Sequence, residues 1–176
     1  MEQSIIRSNR WNEAARYGII LGLIPAAYLY LGHLQIYIGT AGLVTSTITI
    51  VAWMAKFAGC IMLMRHVMNK FAYTNPDATR TDLFKLGALL AVFSALVYST
   101  IAVVDQLYVF PEYYQSIYAI AVEEYSKVLP SEQIEELTGM LANAHKISFF
   151  ITFIYCALYG TVLSLILSRI TPTKNN

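Results

Sequence analysis

Charge is scarce in this chain: Asp, Glu, Lys and Arg make up 13% of its 176 residues, about half the share usual in soluble domains. A fold kept in solution by a charged surface is thereby excluded. With 57% apolar residues and a mean hydropathy of +0.52, the natural solvent is a bilayer. Cysteine is scarcer still. Cys60 and Cys156 both fall inside apolar runs without CxxC or Cys/His spacing, which excludes a disulfide framework or a cysteine-based zinc site and leaves two small packing residues. Basic charge is not massed either. A net charge of +1 with scattered Lys and Arg gives nucleic acid nothing to bind. No phosphate-binding GxxxxGK[ST] loop, no HExxH, no GxSxG and no paired intramembrane carboxylate occurs, so the expectation is a protein that is not an enzyme and holds no cofactor or metal.

What is present in quantity is long apolar sequence. Four stretches, 17–38, 41–64, 83–110 and 147–170, each reach the roughly 20 residues that cross about 30 Å of hydrocarbon. They nearly exhaust the chain. The expected architecture is all-α, a four-helix membrane bundle in one domain, 1–176, with segment 111–146 connecting the third and fourth spans. The first stretch is of full spanning length and continues through Pro25, Ala26 and Ala27, so it reads as a retained anchor rather than a cleaved signal. Gly39 and Thr40 imply a tight hairpin between the first two spans. Arg65 to Asp82 reads as a polar loop turning at Asn75-Pro76-Asp77.

Orientation follows from where Lys and Arg collect, because loops rich in them stay cytoplasmic. Arg7, Arg10, Arg16, Arg65, Lys70, Arg80, Lys85, Arg169 and Lys174, nine of twelve basic residues, fall on one side; Lys127 and Lys146 face seven acids on the other. The imbalance predicts cytoplasmic termini and a periplasmic 111–146 segment in a bacterial inner membrane. Within that segment Tyr113, Tyr114, Ile117, Tyr118, Ala121 and Tyr125 recur at helical spacing, Pro130 interrupts, and Ser131 offers an N-cap to a second helix bearing Ile134, Leu137, Met140 and Leu141. Two short amphipathic helices are expected, their tyrosines belonging to the interfacial aromatic belt or to a platform for a ligand or partner.

Small residues recur every fourth position: Ala14, Gly18, Gly22 and Ala26 on the first span, Gly87, Ala91, Ala95 and Ser99 on the third, Cys156, Gly160, Ser164 and Ser168 on the fourth. In lipid, helices associate through such close backbone approach rather than by hiding apolar surface from water. Ala52, Ala55 and Gly59 form a shorter seam on the second span. These stripes predict packing within the bundle, with a homo-oligomer as a further use of them.

Polar residues at membrane depth demand a reason. Lys56 lies nine residues, about 13 Å of helix, before Arg65. It either stretches its stem toward water or meets a lipid phosphate or a partner's carboxylate. Arg16, Arg65, Lys85 and Arg169 place one cation at each inner helix boundary, as topology alone requires and as contact with anionic lipid also would. His33, Asp105 and His145 stand near the outer ends of three spans, a trio chemically able to hold zinc. Their unrelated sequence surroundings argue instead for ordinary interfacial residues.

With the spans and loops in place, the chain resembles a family of small Bacteroidota membrane proteins known as domain of unknown function 4199. The likeness runs over nearly the whole chain. It is carried by Ala15-Arg16-Tyr17-Gly18, by the segment Pro130-Ser131-Glu132-Gln133-Ile134-Glu135-Glu136, and by Gly160 through Ser164-Leu165-Ile166-Leu167-Ser168. The resemblance implies four helices in an inner membrane and brings no catalytic residues. It also implies gene neighbours that are glycosyltransferases acting on polyprenyl phosphates. The expected function is that of a non-enzymatic membrane subunit, an anchor or scaffold for a cell-envelope complex with lipids and a protein partner, the alternative being a small oligomeric transporter or channel.

Overall fold

The computed structural model describes residues 2–38 and 43–172, and among these every regular element is helical. In chain order they are α1 (Glu2–Ile38), α2 (Leu43–Thr74), α3 (Arg80–Val104), a π-helical turn (Asp105–Val109), α4 (Pro111–Ser126), α5 (Ser131–Ala142) and α6 (Ala144–Ile170). Four helices, α1, α2, α3 and α6, are long and apolar enough to cross a membrane. The expected hairpin at Gly39 and Thr40 lies outside the described residues. The chain divides into two compact units, Met1–Tyr98 with Phe153–Asn176, and Ser99–Thr152.

The helices outrun the apolar stretches that announce them. In place of the polar loop expected from Arg65 to Asp82, α2 continues to Thr74 and only a short turn precedes Arg80. The cause is a second pattern hidden by the charges: Met64, Val67, Met68 and Phe71 repeat at helical spacing and are all but completely buried. They join Leu83, Leu86 and Leu90 of α3, Ala14 and Leu21 of α1 and Leu167 of α6 in the core of the first unit. Each large side chain so buried contributes up to about 1.5–3 kcal/mol, enough to hold a helix beyond its apolar run.

The small-residue stripes on α1, α3 and α6 lie at helix contacts. Building a Cβ on Gly18 would bring it to 2.5 Å from Phe93 Cβ, and one on Gly22 to 2.8 Å from the Ser94 carbonyl oxygen. On the other side of α3, a Cβ on Gly87 would lie 2.7 Å from Ser164 Cβ, and one on Gly160 2.5 Å from Ala91 Cβ. The Ser164 hydroxyl also donates 2.9 Å across the contact to the Phe84 carbonyl. Ala14, Ala26, Ala91 and Ala95 are buried as well. The seam on α2 is different: Ala55 is exposed, and Ala52 and Gly59 are half-buried. Accordingly 28% of the α1 and α3 spanning windows is buried, but 11% of α6 and 6% of α2.

In the second unit, Pro111 opens α4 at a position where its missing N–H costs nothing. Ser131 is the first helical residue of α5 rather than its N-cap. Pro130, extended at φ −61° and ψ 155°, holds the cap position, and no side chain caps the helix. The Pro130 carbonyl accepts from Gln133 N at 3.0 Å and Ile134 N at 3.2 Å. No residue of α4 or α5 is fully buried.

Candidate functional site

Three places concentrate polar chemistry. The first is the basic end of the first unit. Thr79 and Asp82 cap α3 reciprocally: the Thr79 backbone N–H and hydroxyl donate to Asp82 Oδ2 at 3.1 and 2.7 Å, and Asp82 N–H donates to Thr79 Oγ1 at 3.2 Å. The other carboxylate oxygen accepts from Arg10 Nη1 of α1 at 3.0 Å. Lys70 of α2 donates to Glu13 at 3.3 Å and to the Tyr17 hydroxyl at 3.1 Å. Asn9 donates to Asn75 Oδ1 at 3.3 Å, and Asn75 in turn to the Phe71 carbonyl at 3.0 Å.

The basic residues thus fall into two sets. Arg10 and Lys70 are consumed in tying α1 to α3 and α2. Arg16, Arg65, Lys85 and Arg169 are exposed and form no ion pair among the described residues. Arg169 in the last turn of α6 also complements that helix's negative end. Beside this set, Arg10, Trp11, Phe84, Lys85, Leu89 and Val92 line a groove of about 590 Å³.

Lys56 is the second place. Its ammonium sits 4.4 Å from the Tyr28 ring centre and 4.9 Å from that of Phe57, and it makes no ion pair among the described residues. Phe57 packs in turn on Trp53 and on Tyr159 of α6, at 4.5 and 5.6 Å between ring centres. Side chains lean toward the start of their helix. The pocket that Lys56 lines, about 200 Å³, accordingly extends to Thr49 and Ala52 of α2, Tyr28 and Gly32 of α1 and Tyr98 of α3. A charge at mid-bilayer costs about 2.5–3.5 kcal/mol on insertion scales. Two ring faces offset much of that, at about 0.5–2 kcal/mol for each cation–π contact, but they supply no counter-charge.

The third place lies in the second unit. Asp105 is fully buried and opens the π-helical turn, which closes with Phe110 N donating 2.9 Å to the Asp105 carbonyl. Its side chain accepts from the Tyr114 hydroxyl at 2.8 Å, while the Gln106 amide donates to the Tyr118 hydroxyl. Burial pushes the Tyr118 phenol above its ordinary range, and the Gln106 bond draws it partly back. Gln106, Tyr114, Tyr118, Glu123, Leu141 and His145 are among the residues lining a groove of about 710 Å³.

Of the other residues singled out from sequence, His33 is buried in the first unit with its ring 6.5 Å from that of Tyr30. Asp105 and His145 belong to the second. Among the described residues no three His, Cys, Asp or Glu side chains gather as a metal site would need. Sequence reasoning passed over Glu13, Tyr28, Asp82 and Gln106. Of these, Asp82 carried a legible signal, the Thr-x-x-Asp spacing of a reciprocal cap. Comparison with protein-family models, with curated proteins and with solved structures gives no significant match.

Proposed function

We propose that the chain is a non-enzymatic, multi-pass subunit of a bacterial inner membrane that anchors or scaffolds a cell-envelope complex. The observation that carries this reading is the unequal use of the four long helices. α1 and α3 are partly buried in the bundle, whereas α2 and α6 turn Ile50, Met54, Met62, Ile154, Leu158 and Val162 outward. Small-residue contacts already satisfy α1, α3 and α6, so the outer faces of α2 and α6 are free for a partner's helices and for lipid.

The basic end faces the cytoplasm in this proposal, in accord with the concentration of Lys and Arg there. Arg16, Arg65, Lys85 and Arg169, which form no ion pair among the described residues, meet lipid phosphates. α4 and α5 then lie in the periplasm as amphipathic helices, acidic outward and aromatic toward the membrane. The resemblance to the Bacteroidota family suggests the class of partner, a glycosyltransferase acting on a polyprenyl phosphate, which the bundle would hold at the membrane.

Photo-crosslinking residues placed singly along α2 and α6 test the assignment. Crosslinks to one polypeptide should recur with helical period at the outward positions Ile50, Met54, Leu158 and Val162 and be missing at Ala91 and Ala95 of α3. Crosslinks to lipid alone at every outward position would refute it. A second reading, a small oligomeric transporter or channel, is favoured by one observation: the cation of Lys56 lines a pocket with Tyr28, Thr49 and Tyr98.

A further inference from the structure

Lys56 presents an unbalanced charge. Among the described residues it forms no ion pair, and its two ring neighbours, Tyr28 and Phe57, supply only π faces. Rings soften the loss of hydration but leave the net charge at +1. Cations within a membrane pair with an anion, with backbone carbonyls or with water in a cavity. Here there is space beside the cation, about 200 Å³, and three hydroxyl-bearing residues, Tyr28, Thr49 and Tyr98, line it.

The size restricts the occupant. A volume of about 200 Å³ lies below the roughly 300–1,000 Å³ of pockets that enclose metabolites or drug-sized molecules. A phospholipid headgroup with its chains is too large for it. The direction restricts it further. The pocket runs from Lys56 to Thr49 and Gly32, back along α2 toward its start and away from Arg65. A Cβ built on Gly32 would meet nothing within 4 Å, so that side is open. A small solute entering from the Gly32 side fits this layout better than a lipid phosphate at the basic end.

We propose that this pocket binds one small monovalent anion, a halide or a short carboxylate, with the Lys56 ammonium as counter-charge and the Tyr28 hydroxyl as a donor. The assignment is independent of whether α2 and α6 carry a protein partner.

The test uses the full chain in nanodiscs of zwitterionic lipid, with sodium sulfate replaced stepwise by sodium chloride or sodium acetate at constant ionic strength. Thermal unfolding and titration calorimetry are read together. Saturable binding near one anion per chain, with a matching rise in Tm, is expected for chloride, acetate or both; the arm that saturates at lower concentration assigns the halide or the carboxylate. Lys56→Met should weaken binding by about tenfold or more, and Lys56→Arg, which restores the charge, should recover most of it. Wild-type protein indifferent to both anions overturns the proposal, as does an equal response in Lys56→Met. The wild-type titration decides even where a variant folds poorly.

Discussion

Asp82 of α3 and Arg10 of α1 meet at 3.0 Å through one carboxylate oxygen, while the other oxygen of Asp82 closes the cap of its own helix on Thr79. One side chain therefore starts α3 and fixes α1 against it. Arg10 is largely shielded, its side chain 12% exposed, so losing the carboxylate leaves a cation with little water to replace it.

Asp82→Ala is expected to cost about 1 kcal/mol for the cap alone, and more because Arg10 is orphaned. Arg10→Ala should cost less. In a double-mutant cycle followed by thermal unfolding in detergent, the pair should show a coupling of about 0.5–3 kcal/mol. Additive losses would mean the ion pair does not tie the helices.

The glycines divide by sign. Alanine at Gly18, Gly22, Gly87 or Gly160 forces a methyl into a neighbouring helix and should destabilise by about 1–3 kcal/mol. Gly139 of α5 has nothing within 4 Å of a Cβ. Gly139→Ala should therefore stabilise by about 0.5–1 kcal/mol through helix propensity. Unfolding midpoints of the five variants check the division.

Tyr114→Phe removes the hydroxyl that donates to the buried Asp105 carboxylate. A hydrogen bond of this kind contributes about 0.5–1.5 kcal/mol net. Amide exchange should accelerate in the π-helical turn and the first turns of α4 and stay unchanged around Met64 to Phe71 in the core of the first unit.

The proposed topology predicts opposite accessibility for α5 and for the turn between α2 and α3. In a background with Cys60 and Cys156 replaced by alanine, a cysteine introduced as Glu132→Cys should react with a membrane-impermeant maleimide in cells with a permeabilised outer membrane. Asp77→Cys should react only after the inner membrane is opened. The reverse pattern would invert the orientation.

Much of this architecture is legible in the residues themselves. The four long apolar runs need no tertiary information, because spanning length and lack of charge suffice, and the four-residue recurrence of Gly18 and Gly22 or of Gly160 and Ser164 already marks faces where backbones can meet. The end of α2 is not legible the same way: Arg65, His66, Asn69 and Lys70 read as a loop until Met64, Val67, Met68 and Phe71 are seen to share a buried face. Ser131 has the chemistry of an N-cap, but Pro130, extended and without an N–H, itself holds the position before the first turn. Lys56 stands out from sequence, but its neighbours Tyr28 and Tyr98 come from other helices, and only folding brings them to one pocket.

The central claim is that this bundle works as a subunit. Purification from its native membrane in native nanodiscs, with every co-purifying polypeptide quantified by mass spectrometry, tests it most directly. The account predicts a second protein in fixed stoichiometric ratio, a polyprenyl-phosphate glycosyltransferase above all. A homogeneous oligomer of this chain with no other polypeptide would contradict it and favour transport.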